Sequence, residues 1–512
     1  MKKLSFLQKK SAQKELGPID QQSLGYRLLE CVPGLLSWSI PVATFFIIRY
    51  ATPVFAIFML LYVCYWIANA ADIVVKASKG IQLMDRIEST DWQAKLSTEY
   101  PDWRDYYYLT LIPYASESIN VIRPTVQAIA DSDFPSERKV LILSSEAALP
   151  AGRAIAEELK REFEGKFADI YITEHVLKPG ELKGKASNEN HCGRLAYRLL
   201  VEEKGIPADH ILLSSNDADM HIHPGYPGYL LYTYLSDGPD HDYHIYEPVP
   251  ADYNDFWGAG FFTRMTVTSG VLWRLTLQIR NNTRCTVYAF YNMSLKTLDA
   301  IGYWDPDIIP EDERTMFKAL AAFGSRFKVI PLFTIVKGTA IRGEGLAGSA
   351  LEQYTQQRRW AWGASEFAHS VSVCRRLPPE KRKAMYAPIF NQVRGAVGWT
   401  LTPIFIVFGG FIPGIINPAF SLTAIGRFYN IAIAVIMGSS SVLAVWTILF
   451  DFRLSPKPPE KRQKNFWARI GRLAQWALSP AVSLAFSSLP AFDAQTRLLL
   501  NRRLSYVESQ KE

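Results

Sequence analysis

Two carboxylates one residue apart, Asp217-Ala218-Asp219, follow the apolar run Ile211-Leu212-Leu213 and precede the turn signal His223-Pro224-Gly225. At the carboxyl end of a buried strand such a pair suits a hard divalent cation. Mg²⁺ takes one or two carboxylates from a protein and fills its other positions with water and substrate phosphates. Ligands of open α/β sheets also collect at the carboxyl ends of the strands. The partner these features ask for is a di- or polyphosphate. Asp-x-Asp occurs often in surface turns, so the pair alone is a weak signal and needs support from elsewhere in the chain.

Three other groups of residues carry chemistry. Gly184-Lys185 enters a helix, which adds a cation and a helix N-terminus, both suited to phosphate; a solvated surface lysine fits as well. Glu311-Asp312 follows Trp304-Asp305-Pro306-Asp307 and opens a helix over Arg314 to Ala322. A carboxylate there is a helix cap favoured by the dipole, or a general base within reach of the proton it removes. By itself the cap is the simpler reading. Gln356, Arg359 and Trp360 stand at i, i+3 and i+4 and share one helix face. An amide, a guanidinium and an indole there can hold a pyrophosphate and cover a sugar ring, although Arg and Trp also mark membrane-interface helices.

Strand–helix alternation between about Tyr106 and Leu332 predicts the mostly parallel sheet that would position these groups. Strands are expected over Tyr106 to Ile112, Lys139 to Leu143, Asp169 to Thr173 and Ile211 to Ser214. Helices are expected over Val121 to Ala130, capped by Ser116 or Ser118, over Gly152 to Phe163, and over Ser187 to Glu203. The spacing brings together three strand ends: Pro113 onward, Ser144-Ser145-Glu146, and Asp217 onward. The stretch from Asp237 to Arg280 holds Tyr243, Tyr246, Tyr253, Phe256, Trp257, Phe261 and Phe262. It suits an acceptor platform and a packed interface equally.

The chain has 512 residues, 48% of them hydrophobic, and the apolar residues concentrate near both ends. Runs over Val32 to Ile48, Val54 to Val75, Ala396 to Phe420 and Ile431 to Phe450 read as four membrane spans, since a span needs about 20 apolar residues. Lys2, Lys3, Lys9, Lys10 and Lys14 precede the first, and Arg453, Lys457, Lys461, Arg462 and Lys464 follow the last. The positive-inside rule then puts both termini and the central segment in the cytosol of a multi-pass protein of the cell membrane. These flanks account for the net charge of +7, so nucleic acid is not an expected partner. No cleavage site follows the first run, which argues against a signal peptide. Leu473 to Phe492 is apolar but holds Pro480 and Pro490 between positive flanks, and is expected to be re-entrant or interfacial. Cys31, Cys64, Cys192, Cys285 and Cys374 are scattered and imply neither a disulfide framework nor a zinc site. The expected layout is a cytosolic segment 1–31, two spans in 32–75, a cytosolic domain 76–390 with membrane-proximal helices, two spans in 391–452, and a cytosolic or interfacial 453–512.

The order Pro-x-x-x-Glu, Gly-Lys, Asp-x-Asp, Glu-Asp and Gln-x-x-Arg-Trp resembles the membrane-embedded family 2 glycosyltransferases, the group of the cellulose, chitin and hyaluronan synthases. It covers roughly Tyr108 to Gly363 and the flanking spans. The resemblance implies a GT-A-like α/β fold, helices on both faces of the sheet, and a nucleotide-sugar donor, a UDP-sugar first among them. Pro113, Tyr114 and Glu117 match the first-strand motif that holds the base and ribose, and Glu146, in Ser144-Ser145-Glu146, stands in place of the family's second-strand aspartate. Lys185 matches the lysine near the phosphates. Asp219 matches the aspartate that binds Mg²⁺ or Mn²⁺, with Asp217 on the ribose or metal. Asp312 matches the base of the Thr-Glu-Asp motif beside Glu311, with Pro310 in place of the threonine, and Gln356, Arg359 and Trp360 match the motif of the polymerising members. The implied reaction is inverting transfer to a hydroxyl of a growing glycan. Transfer of one sugar to a lipid acceptor is the nearest alternative, and a non-catalytic nucleotide-sugar-binding scaffold is the alternative of another class. The tail Tyr506 to Lys511 faintly resembles the gating loop of polymerising synthases; a charged terminus is the simpler reading of it.

Overall fold

The computed structural model describes residues 19–280 and 287–504, the side chains of 439–444 excepted. Lys2 to Lys14, Cys285 and the tail Tyr506 to Lys511 lie outside the described residues. The four strands read from the sequence form as β1 (Tyr107–Pro113), β2 (Lys139–Glu146), β3 (Asp169–His175) and β4 (Ile211–Ser215). Three further strands complete a seven-stranded sheet: β5 (His244–Asn254), β6 (Tyr291–Ser294) and β7 (Lys328–Thr339), in the order β3-β2-β1-β4-β6-β5-β7. β1 pairs in parallel with both β2 and β4, and β2 with β3. β6 runs antiparallel between β4 and β5, and β7 is parallel to β5 at the edge. The sheet is mixed, largely parallel and flanked by helices.

Side chains alternate across a strand, and here both faces are buried. Leu109, Leu111, Val140, Ile142 and Leu213 point into one core with Cys192, Ala196 and Phe317. Tyr108, Ile112, Leu141, Leu143 and Leu212 point into another with Ile122, Val126 and Leu159. Double burial explains why these strands read as continuous apolar runs. The chain leaves β1 toward β2 and β3 and returns on the other side as β4, so a crevice opens at the carboxyl ends of β1 and β4.

β5 was hidden by its sequence. Pro248 and Pro250 argue against a central strand, yet the register shifts between Glu247 and Val249, so Pro248 sits at an irregularity where a ladder bond is not required. The aromatic segment around it resolves mostly as packing, with Tyr246, Tyr253, Phe256 and Phe262 all buried.

The first two apolar runs form one helix, Leu24–Glu88, with a non-helical break at Ala51 (φ −140°, ψ 46°) just before Pro53. Proline removes a helical hydrogen bond and crowds the carbonyl four residues back, which favours a break there. Below the break Ala77, Ile81 and Met84 pack against Val271 and Leu275 of the Phe261–Arg280 helix and against Val249 and Ala251 of β5. Gly80 makes that approach possible, since a Cβ would stand 3.2 Å from the Leu275 side chain. Among the described residues this is the one helix long and apolar enough to cross a membrane, and only 22% of its most apolar stretch is buried. The third run does not form one continuous helix. Pro379–Phe408 is followed by short helices Ile412–Ile416 and Pro418–Leu422, broken where Gly409, Gly410, Pro413 and Pro418 interrupt the chain. Ala424–Leu454 follows. Around Pro480 and Pro490 the backbone stays helical: Ser479–Ser483 passes through one wider π-helical turn, Leu484–Ser488, into Leu489–Leu499, and Ser483 and Ser488 at the junctions keep helical φ/ψ.

Candidate functional site

Lys185 begins the helix Lys185–Ala196, and its ammonium gathers the separate motifs. Its Nζ lies 2.7 Å from Asp217 Oδ1, 3.4 Å from Glu311 Oε1 and 3.7 Å from Glu189 Oε1, and donates to the Ala289 carbonyl at 2.8 Å. Burial alone would lower this lysine's pKa, and the carboxylates of Asp217, Glu189 and Glu311 more than reverse that. Asp217 comes from the loop after β4, Glu189 from one turn along the same helix, and Glu311 from the start of the Glu311–Phe323 helix. Contact between residues so far apart in sequence is set by the β1–β4 crevice.

Acid outweighs base around this lysine. Burial and the Glu311 carboxylate push Asp312 up to about 7, although it accepts the Glu313 N–H at 2.7 Å. Burial pushes Glu189 up to about 8 against the pull of Lys185. Glu189 accepts the Ser215 hydroxyl, and its Oε2 is buried with no hydrogen-bond partner. Burial, Glu366 and Asp312 raise Glu313 to about 8, with the Gln392 amide donating to it at 2.9 Å. Glu247 on β5 is raised by burial; it accepts the Tyr288 N–H at 3.0 Å and leaves its second oxygen without a partner. Perturbed carboxylates concentrated in one crevice mark a functional-site candidate.

The loop after β4 is held firmly. His221 exchanges backbone hydrogen bonds with Lys337 at 2.8 and 2.9 Å, and the Thr339 N–H donates to Asp219 Oδ2 at 2.7 Å. The Asn254 amide donates to the Asp219 carbonyl at 3.1 Å. Asn216, fully buried beside Asp217, has no partner for either its Nδ2 or its Oδ1. Among the described residues no group of three or more His, Cys, Asp or Glu is arranged to hold a metal ion. A pair of aspartates still matches what Mg²⁺ takes from a protein before phosphate and water complete its shell. The excess of acid here fits a cation.

The first-strand residues are placed differently from the Lys185 cluster. Tyr114 donates its hydroxyl to the Gly152 carbonyl at 2.6 Å, and its N–H to the Ser144 carbonyl at 2.9 Å. Pro113 ends β1, and Glu117 accepts the Ala115 N–H at 2.7 Å. Glu146 is buried at the end of β2, 3.1 Å from both His175 Nδ1 and Asn188 Nδ2. His175 also meets Glu181 at 3.1 Å through Nε2. Burial pulls that imidazole down, and the two carboxylates more than offset it.

Gln356 is buried, Arg359 is half-buried and Trp360 is 40% exposed on the helix Gly345–Ala361. Arg358 fastens this helix to Leu489–Leu499 through Asp493 at 3.1 Å. The helix runs into Gly363, where a Cβ would stand 2.7 Å from Glu313 Oε2. The Gln-x-x-Arg-Trp motif thus adjoins the Glu311–Asp312–Glu313 turn at its end. Lys185, Asp217, Glu311 and Asp312 converge; Tyr114 and Glu146 are engaged in contacts of their own. Sequence reasoning missed Glu189, Glu247 and Asn216. The i,i+4 spacing of Lys185 and Glu189 was a usable signal; Glu247, in a proline-rich stretch, offered none.

No family model matches the chain, and no curated protein matches it. Among solved structures, the mannosyltransferase PcManGT from Pyrobaculum calidifontis, in complex with GDP-Man and Mn²⁺, is similar at 13% identity and a TM-score of 0.41, over 84% of this chain and all (100%) of that one. S. aureus TarS 1–349 in complex with UDP-GlcNAc is similar at 12% identity and a TM-score of 0.35, over 66% of this chain and 92% of that one. At these identities and scores the likenesses carry no functional conclusion.

Proposed function

We propose that this chain is a membrane-seated glycosyltransferase of the family 2 kind, with a GT-A-like catalytic domain that transfers a sugar from a nucleoside diphosphate to a hydroxyl. The observation that carries this reading is the meeting of Gly-Lys, Asp-x-Asp and Glu-Asp around one ammonium, Lys185 Nζ with Asp217 and Glu311, at the β1–β4 crevice. An unrelated surface turn or helix cap has no reason to bring those motifs together.

In this reading Asp312 takes the proton of the acceptor hydroxyl. The hydroxyl oxygen forms a bond to the anomeric carbon as the bond from that carbon to the diphosphate oxygen breaks, with inversion. Asp312, held near 7 by burial and Glu311, is matched to base work at neutral pH. Glu311 adds to the effect of burial on that pKa and helps position Lys185. Lys185 stabilises charge that grows on the leaving diphosphate, the effect that usually contributes most. Mg²⁺ or Mn²⁺ held by Asp217 and Asp219 would supply Lewis-acid charge to the same oxygens. Pro113, Tyr114, Glu117 and Glu146 frame the base and ribose side through the strand ends they fix. Gln356, Arg359 and Trp360 serve the pyrophosphate and sugar from the adjoining helix. The acceptor is a glycan hydroxyl, with a lipid hydroxyl as the alternative.

The test is purified protein incubated with a panel of labelled nucleotide-sugars, with Mg²⁺, Mn²⁺ or chelator, and sizing of the product. Metal-dependent transfer from one donor supports the reading, and a long or single-sugar product separates polymerisation from lipid modification. Absence of transfer together with absence of any donor-induced thermal shift across the panel would sink it.

A further inference from the structure

A second concentration of charge lies away from the Lys185 cluster. A cavity of about 950 Å³ opens between the start of the Phe261–Arg280 helix and the segment that follows Ala424–Leu454; Trp257, Arg264, Lys457, Arg462, Arg469 and Arg472 line it. Arg264, Arg462 and Arg472 all stand over the Trp257 ring, 5.0 to 5.7 Å from its centroid. Among the described residues only one of these cations is neutralised by an ion pair. Arg472 Nε meets the buried Asp451 at 2.7 Å, and Asp451 is further held by the hydroxyls of Thr268 and Ser455. Among the described residues Arg264, Lys457, Arg462 and Arg469 form no ion pair.

Arg264 is the informative member. It donates from Nη1 to the Ala259 carbonyl at 2.6 Å and from Nη2 to Gln475 at 3.2 Å, while its Nε is buried and has no partner. Burial, and then the neighbouring Arg462, pull its pKa down to about 10. Asp451, already held by Arg472, offsets this only in part, and the unmet Nε donor is left for a further anion.

The wall of the cavity identifies the setting of that anion. The helix Phe466–Ala474 carries Arg469 and Arg472 toward the cavity and exposes Phe466, Trp467, Ile470 and Leu473. Those four fall on one face at helical spacing, the pattern of a helix lying in a membrane interface. An exposed aromatic-aliphatic face backed by arginines places an anionic group at headgroup depth.

We propose that this cavity binds the phosphate headgroup of an anionic membrane lipid. The phosphate oxygens take the donors of Arg264, Arg462 and Arg469, and the acyl chains leave along the Phe466–Leu473 face. The site rests on the membrane seat and not on sugar transfer.

The test uses the full chain purified in an uncharged detergent, without nucleotide-sugar, and native mass spectrometry after addition of phosphatidylglycerol or phosphatidylcholine at equal concentration. Retention of phosphatidylglycerol over phosphatidylcholine is expected, falling with added salt. The variants Arg462→Gln and Arg469→Gln, at exposed positions outside the sheet, should weaken it by about fivefold each. Arg153→Gln, on the helix Ala151–Glu162 and outside the lining of the cavity, should leave it unchanged. Equal retention of both lipids, or undiminished retention by the double variant at an unchanged melting temperature, overturns the proposal. A parallel thermal-shift arm uses inorganic phosphate alone. Stabilisation by phosphate that disappears in the double variant, with no lipid retained, would make this a soluble-phosphate site and also overturn it. Because no donor is present, failure here leaves the sugar-transfer reading standing, and an inactive enzyme that retains phosphatidylglycerol leaves this one standing.

Discussion

Asp312 is the residue on which the proposed chemistry turns. Its carboxyl is raised to about 7 by burial and by Glu311, so the fold favours its protonated form. A group whose folded-state pKa lies above its unfolded value contributes stability below the unfolded pKa, and that contribution is lost as pH rises through the folded one. Stability should therefore fall from about pH 4 to about pH 7, the interval between the unfolded and folded values, while kcat/KM should rise around pH 7 as the base is unmasked. Asp312→Asn should abolish turnover, leave donor binding within about twofold as far as a neutral isostere preserves the site, and melt higher than the parent at pH 8. Calorimetry beside single-turnover kinetics reads all three. An Asn variant with near-parent turnover would remove Asp312 as the base. Glu189 and Glu313, both raised to about 8, act in the same direction. Added Mg²⁺ or Mn²⁺ should stabilise the protein more at pH 8 than at pH 6, because deprotonated carboxylates bind a cation better.

At the scale of elements, two contacts hold the cluster in place. The helix that carries Lys185 and Glu189 lies close to Trp304 because residue 193 is glycine: a Cβ there would stand 2.8 Å from the Trp304 ring and 3.0 Å from Leu298. Gly193→Leu should force the helix outward, cost about 1–3 kcal/mol, and weaken donor binding through Lys185; unchanged denaturant midpoint and affinity would refute this packing. The helix that opens at Glu311 is pinned by Arg314, whose buried guanidinium meets Glu366 through two nitrogens and Asp305 at 2.9 Å. Arg314→Leu leaves the buried Glu366 uncompensated and should cost about 3–5 kcal/mol, measured by chemical denaturation. Both contacts join elements more than fifty residues apart or across a loop, and neither was legible from local pattern. The strands β1 to β4 were legible, because two-sided burial writes continuous apolar runs into the sequence. β5 was not, because Pro248 and Pro250 obscure a strand whose irregular register accommodates them.

For the molecule as a whole, the Leu24–Glu88 helix links an outward-facing apolar surface to the sheet. Phe45, Phe46, Ile57, Phe58 and Leu61 are exposed along it, and Ala77 and Ile81 are buried against the domain core. Exposed apolar surface of that extent asks for lipid or a partner. The chain should stay in the membrane pellet after washing with alkaline carbonate; release into the supernatant would contradict a spanning or deeply seated helix. The kink at Ala51 divides that helix, and the domain end is packed rather than tethered. In the proposed membrane setting the β1–β4 crevice should therefore hold a fixed height above the bilayer.

The sequence by itself determined the alternation that makes a largely parallel sheet, the strand ends where a ligand would lie, and the identity of Lys185, Asp217, Asp219, Glu311 and Asp312 as candidates. These are local properties: period, turn chemistry and residue type within a few positions. Only the tertiary structure decided that Lys185 stands between Asp217 and Glu311, that Glu189 and Glu247 share the crevice, and that Tyr114 and Glu146 are tied to Gly152 and His175. Desolvation and charge–charge interaction are sums over everything packed nearby, and most of what is packed nearby is distant along the chain.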